Sequence, residues 1–463
     1  MQLFVIALPF IIAFALILVE TIFPAQKYRW NTLLALILPV AGLAGSAVLA
    51  WLPGVVSEDG AFSFTGVGKL FLSVLFSLTA LCLITAYFTD NLRSGRYSPV
   101  ALAVCGTINA ALYINNVFIV TLCFVAAEFV SIIAVIDLDT QDEERFVRAI
   151  KGAVRYLIAT VLFGLMLFIA QVFLERLRLD PQQTGLIKVI VALAIVGFAL
   201  RLGVFPFNLW VPQVIEDAPP LASWLVLGLI NIAAVVFLVD FLQQNPTLLL
   251  NNYGEAQVIM ALGMSGAVLA GVLALAQNGF GKMLAYVASG NLSLILFGLA
   301  TPHETGLRGA LFDALNFALM QALIFSSLAL VNYCNQGRAL AGLTGLGRRM
   351  PVAAVGLSFG VLGLVGAPIL SGFAGKYLIL QSAAQEGLSW ALLGGLAISF
   401  WLLAYLRYFH GLFMGRDVAG LKTRREPIGA IAVILTLVVI IILVGLWPTP
   451  LLDLIGSALK GEF

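Results

Sequence analysis

Four ionisable side chains of this 463-residue sequence stand inside or beside long apolar runs. Glu128 lies in Cys-Phe-Val-Ala-Ala-Glu-Phe-Val-Ser, Arg155 follows Lys151 by one turn, Arg201 lies in Phe-Ala-Leu-Arg-Leu-Gly-Val-Phe-Pro, and Lys376 closes Gly-Phe-Ala-Gly-Lys. Arg407 is a fifth, late in its own run. A charge at the centre of a bilayer costs at least ~2.5 kcal/mol on insertion scales, so such groups are paired or face an internal cavity. Carboxyl and amine groups can exchange protons, whereas a guanidinium stays charged. The chemistry open to this set is therefore proton uptake and release, with arginine as a fixed counter-ion. Glu128 is too short to reach water from mid-run, and its competing account is a structural ion pair. Arg155 and Arg407 have a simpler alternative, because a long side chain near a span end can snorkel to the headgroups.

Composition defines the solvent in which that chemistry would occur. The chain is 61% hydrophobic and 10% charged with mean hydropathy +1.06, far from the roughly one-quarter charged residues of soluble domains. It reads as a polytopic, all-α membrane protein. A net charge of +2 does not suggest a nucleic-acid partner, and Cys82, Cys105, Cys123 and Cys334 have neither metal nor disulfide spacing. They read as small buried hydrophobes. The N-terminal run lacks a basic leader and a small-residue cleavage site, so it reads as a span that stays.

At about 20 residues per crossing, the apolar runs make fourteen spans, centred near residues 13, 42, 78, 106, 127, 162, 197, 232, 266, 291, 320, 365, 400 and 437. One alternate set of loops carries fifteen lysines and arginines (Lys27, Arg29, Arg93, Arg96, Arg145, Arg148, Lys151, Lys282, Arg338, Arg348, Arg349, Arg416, Lys422, Arg424, Arg425). The other carries six: Lys69, Arg176, Arg178, Lys188, Arg308 and Lys460. By the positive-inside rule the richer set is cytoplasmic and both termini lie outside.

Two spans are interrupted. Pro206 follows Arg201 by five residues, and Pro368 sits among glycines ahead of Lys376. Broken helices at membrane depth are tolerated where protein or an internal water cavity satisfies the freed backbone groups. Spans seven and twelve are five apart. Spans four to eight and nine to thirteen thus form two five-helix halves, inverted because five is odd. The expected organisation is one membrane domain: residues 1–95 (spans one to three), 96–245 and 254–415 (the two repeats), and 426–463 (span fourteen).

Phe205-Pro-Phe-Asn-Leu-Trp-Val-Pro-Gln-Val-Ile-Glu-Asp-Ala-Pro219 resembles the FPFHxWLPDAxxxAP signature of the antiporter-like proton-translocating subunits of respiratory complex I, relatives of multi-subunit sodium/proton antiporter and membrane-bound hydrogenase subunits. The resemblance continues in Gly281-Lys-Met-Leu-Ala-Tyr, in Leu315-Asn-Phe-Ala-Leu-Met-Gln-Ala-Leu-Ile-Phe and in Gly366 to Lys376. It implies the same inverted-repeat fold with both termini on the outer side, and no long lateral helix after span fourteen. The family's span-five glutamate matches Glu128, its span-twelve lysine or glutamate Lys376, its span-seven lysine Arg201 and a span-six lysine Arg155. Other positions depart from the family: its span-eight lysine falls at Asn231, its span-ten histidine at Asn291, and the histidine and lysine of span eleven at Phe317 and Gln321. The polar file across the membrane would then be Asn231, Asn291, Asn316 and Gln321 with water.

The resemblance implies a proton-translocating membrane subunit of a complex I-type NAD(P)H- or ferredoxin-quinone oxidoreductase or a related redox-driven pump. It implies no redox centre in this chain, partner subunits carrying Fe-S clusters, flavin and quinone, and residence in a prokaryotic-type inner or energy-transducing membrane. A subunit of a multi-subunit Na+/H+ antiporter is the alternative, moving protons or sodium ions without redox chemistry. A non-pumping scaffold is a third, suggested by Arg201, Asn231 and Gln321. His303 and His410 are too separated for a metal site, Gly-rich Gly360 to Gly366 reads as helix packing, and Trp51, Trp210, Trp224 and Trp447 read as an interfacial belt.

Overall fold

Long apolar runs leave the backbone no partner but itself, and the outcome is helix throughout. The computed structural model describes residues 2–22, 29–50, 65–89, 97–136, 143–180, 185–245, 253–335, 345–415 and 424–460. The loop cations Lys27, Arg93, Arg96, Arg338, Arg416 and Lys422, and Trp51, lie outside the described residues. In chain order the helices are α1 (Gln2–Ile22), α2 (Arg29–Ala50), α3 (Gly66–Phe88), α4 (Tyr97–Tyr113), α5 (Val117–Val135), α6 (Glu143–Leu179), α7 (Gly185–Leu202), α8 (Val211–Asp217) and α9 (Pro220–Gln244). They continue as α10 (Tyr253–Ala276), α11 (Phe280–Ala300), α12 (Glu304–Cys334), α13 (Leu346–Arg349), α14 (Pro351–Val365), α15 (Gly372–Glu386), α16 (Leu388–Met414), α17 (Ile428–Leu446) and α18 (Thr449–Lys460).

Every expected span is met by a helix. Ten are long and apolar enough to cross a bilayer, and shorter apolar helices stand at spans one, two and four. Span twelve is split into α14 and α15. The fourth span of each half is the interrupted one. After Arg201 the chain turns at Gly203 (φ 65°), where a left-handed backbone favours glycine, and resumes as the short α8 beside α6 and α11. In the second half α14 ends at Gly366 (φ 88°), and Ile369 holds φ 76°, a strained value for a β-branched residue. Such outliers persist where surroundings over-determine them.

The helices are unequally enclosed. Helix α12 is buried along its span and α9 and α11 nearly so, while α5, α6, α16 and α17 leave most of their residues outward. The three enclosed helices carry Asn231, Asn291, Asn316 and Gln321. Helix α12 packs on α15, α14, α11 and α3, and small residues set its closest crossing. A methyl at Gly375 would come 2.8 Å from the Asp313 Cβ, so only glycine lets α15 bring Lys376 this near to α12. Cys82, Cys105 and Cys334 are buried and Cys123 half-buried, all as free thiols.

Candidate functional site

The sequence places Glu128 on the enclosed side of α5 and Arg201 in the last turn of α7, and the fold brings them together. Arg201 Nε lies 2.5 Å from Glu128 Oε1, with both side chains essentially buried. The two Nη groups find no hydrogen-bond acceptor among the described residues. The guanidinium instead lies 5.9 Å from the Tyr156 ring centre and 5.8 Å from that of Trp210, contacts worth about 2 kcal/mol when desolvated. Trp210 belongs to the turn after the break and donates its indole N–H to the Leu200 carbonyl at 3.0 Å. Ser131 links Glu128 and Tyr156: its hydroxyl donates to the Glu128 carbonyl at 2.7 Å and lies 3.3 Å from the Tyr156 hydroxyl. Thr160 also faces the Glu128 carboxylate.

A second buried pair sits at the second break. Lys376 Nζ donates to both oxygens of Asp313, at 2.9 and 3.1 Å. Asn316, one turn further along α12, donates from Nδ2 to Asp313 Oδ1 at 3.4 Å and accepts the Ser371 hydroxyl at 2.5 Å. Ser371 is the last residue of the break itself. Lysine, carboxylate, amide and hydroxyl thus form one network across the split helix. The two pairs differ chemically. A proton passing from Lys376 to Asp313 leaves two neutral groups, whereas Arg201 stays charged whatever Glu128 does.

Between the broken helices lies a series of buried amides. Asn231 follows a stretch of wide helical turns over Trp224–Ile230, and its backbone N–H reaches back five residues to the Val226 carbonyl. Segments of this kind recur at functional sites, where they re-aim a side chain. Both ends of the Asn231 and Gln321 amides, the Asn291 Oδ1 and the Ser289 and Ser327 hydroxyls have no protein partner among the described residues. Buried polar groups of this sort hold water when protein does not satisfy them.

The sequence pattern of the family described as NADH:quinone oxidoreductase/Mrp antiporter, transmembrane region, matches residues 123–400. The chain belongs to this family. NADH-quinone oxidoreductase subunit N 2 of Acidobacterium capsulatum is 27% identical over 456 residues, which is 90% of each chain. A chain of the membrane-bound sulfane sulfur reductase, an archaeal respiratory membrane complex, has the same fold with TM-score 0.81 at 21% identity, over 99% of this chain and 97% of that one. A chain of the Mrp complex of Dietzia sp. DQ12-45-1b matches with TM-score 0.82 at 18% identity, over 98% and 96%. The NADH:quinone oxidoreductase/Mrp antiporter match encloses both ion pairs and the amides between them.

Several sequence expectations meet different geometry in this family member. Arg155 is exposed on the outer face of α6 and is not brought to the Glu128–Arg201 pair; Tyr156 beside it is. Arg407 is exposed late in α16 and donates to the Leu275 carbonyl at 2.7 Å and to Asn278 Oδ1 at 3.3 Å. Trp210 and Trp224 are buried, not belt residues, whereas Trp447 is exposed. Phe317 is buried at the position the resemblance gave to histidine. Asp313 was missed. Its signal was an acid one turn before Asn316 in an apolar run, obscured because Arg308 just upstream reads as a loop residue; in the structure α12 already begins at Glu304 and pairs it with Arg308. Among the described residues no group of three His, Cys, Asp or Glu could hold a metal.

Proposed function

We propose that this chain is the proton-translocating, antiporter-like membrane subunit of a complex I-type quinone oxidoreductase or a related redox-driven pump. What carries the reading is the Lys376–Asp313 pair on the second broken helix, tied through Asn316 and Ser371 to the break. Buried, mutually neutralisable pairs of this kind suit loading and release of a proton, because small displacements change which partner holds it. Glu128 and Arg201 supply the fixed electrostatic element, and a change in their separation alters the potential felt along Asn231, Gln321 and Asn291. Redox energy would enter from partner subunits carrying the flavin, Fe-S clusters and quinone site, with this chain holding no redox centre. The setting is an energy-transducing membrane with both termini on the non-cytoplasmic side. A non-pumping scaffold would be favoured by the fixed charge at Arg201, but it gives no use to Lys376–Asp313.

The test is gentle purification from native membranes with mass spectrometry of what accompanies the chain, followed by ion-transport assays of the complex carrying Glu128→Gln and Lys376→Met. Hydrophilic Fe-S and quinone- or hydrogen-reacting subunits together with loss of transport are expected. Only small membrane subunits would point to the cation/proton antiporter, and unchanged transport in both variants would leave the scaffold.

A further inference from the structure

Helix α9 carries a third acid that neither ion pair uses. Asp240 lies nine residues after Asn231, about 13 Å along the axis, near the end of α9 that meets the start of α3 and the α4–α5 turn. Thr65, which caps α3, hydrogen-bonds its carboxyl, and Asp240 Oδ1 is buried without a protein partner among the described residues. A cavity of about 20 Å³ adjoins it, lined by Thr65, Asn116, Asp240 and Gln244 above a floor of Phe237 and Phe241. That volume holds one water. No charged side chain among the described residues acts on the carboxyl. Arg178, in the last turn of α6, is engaged by Glu175 at 3.0 Å and reaches the Asn245 amide at 3.5 Å.

Phe237 and Phe241, which line the cavity, belong to a cluster of phenylalanines that extends away from it. Phe124 and Phe237 stack with ring centres 5.3 Å apart, Phe198 lies 5.5 Å from Phe237 and 6.4 Å from Phe241, and Phe163 lies 5.7 Å from Phe198. Phe124 is one turn from Glu128, and Phe198 is one turn from Arg201. Each thus stands between a member of the first ion pair and the Asp240 end. An apolar constriction of this type stops water and protons by dewetting.

We propose that Asp240 is a proton-binding site at the mouth of the first half, loaded by a single water from the adjoining surface and sealed from the Glu128–Arg201 pair by this phenylalanine layer. A carboxylate with one unpartnered oxygen and no counter-ion is costly in such surroundings unless a proton or water completes it. The proposal rests on the proton-transport reading for its purpose, since a loaded acid outside a closed layer would let the first half take or give a proton only when the rings part.

Infrared difference spectroscopy of the full chain in lipid, recorded while the bulk pH is changed, reads the carboxyl directly. A protonated-carboxyl band that follows bulk pH and is lost in Asp240→Asn is expected. Thr65→Val should move the midpoint of that titration, while Asp313→Asn leaves it in place. A spectrum unchanged by Asp240→Asn, or a band that does not respond to bulk pH, overturns the proposal. Because the readout is not ion transport, its failure leaves the transport reading standing. A titrating Asp240 in a complex that moves no protons would do the reverse.

Discussion

Lys376 and Asp313 can both become neutral, whereas Arg201 cannot, and this difference sets expectations for single substitutions. Removing one member of a buried pair strands the other charge and costs about 3–5 kcal/mol, while replacing both with neutral groups is often tolerated. Asp313→Asn or Lys376→Met alone should therefore lower the thermal unfolding midpoint sharply. The double variant Asp313→Asn/Lys376→Gln should recover most of that loss yet remain unable to transport. Recovered transport in the double variant would show that the pair is structural. Arg201→Lys keeps the charge but loses the flat contacts to Tyr156 and Trp210, so a cost of about 1–2 kcal/mol with transport retained is expected; lost transport would mean that the guanidinium does more than balance Glu128. Glu128, Arg201 and Lys376 were legible because a charge inside an apolar run has few bland explanations. Asp313 was not, because Glu304 and Arg308 make the head of its helix look like a loop, and only the three-dimensional crossing at Gly375 shows which acid Lys376 meets.

Among the elements, the two breaks were legible from proline and glycine beside a buried cation. The means of holding the second one was not. Gly445 of α17 lies against the backbone of Ile369, Leu370 and Ser371, where an added methyl has no room. Gly445→Ala should push the break off its seat, cost about 1–3 kcal/mol, and weaken the Ser371–Asn316 bond; a variant with unchanged melting and transport would show that α17 is not what fixes the strained turn. The segment after the first break also carries partly exposed ion pairs. In α8, Asp217 lies 3.4 Å from Arg148 and Glu216 lies 3.7 Å from Lys282 at the head of α11. Burial pushes the Glu216 carboxyl above its ordinary 4.5, with Lys282 opposing that rise. The folded chain therefore binds the Glu216 proton more readily than the unfolded one, and that contribution to stability is full below 4.5 and fades as pH rises through the folded value. The melting temperature of the wild-type chain minus that of Glu216→Gln should fall across that window. A flat difference would mean that Lys282 fully offsets the burial.

For the molecule as a whole, the proposed single proton route through both halves predicts that their losses do not add. Residues acting as a unit give single and combined losses of similar size. Glu128→Gln, Asp313→Asn and the two together should leave the same residual proton transport by the complex; a double variant much worse than either would mean two independent routes. The fourteen spans, the two interruptions and the general line of polar groups were legible because bilayer thickness and hydrogen bonding leave few choices. The unequal enclosure of the helices was not, since apolar runs look alike whether they face lipid or protein. That enclosure bears on how the protein is made. Asp313 is followed 63 residues later by its partner Lys376, and Glu128 precedes Arg201 by more than sixty residues. At roughly 5–20 residues per second of synthesis, each acid waits several seconds before its cation leaves the ribosome. The helices bearing these acids must therefore be sheltered at the insertion machinery, or enter protonated, until the later broken helix arrives to claim them.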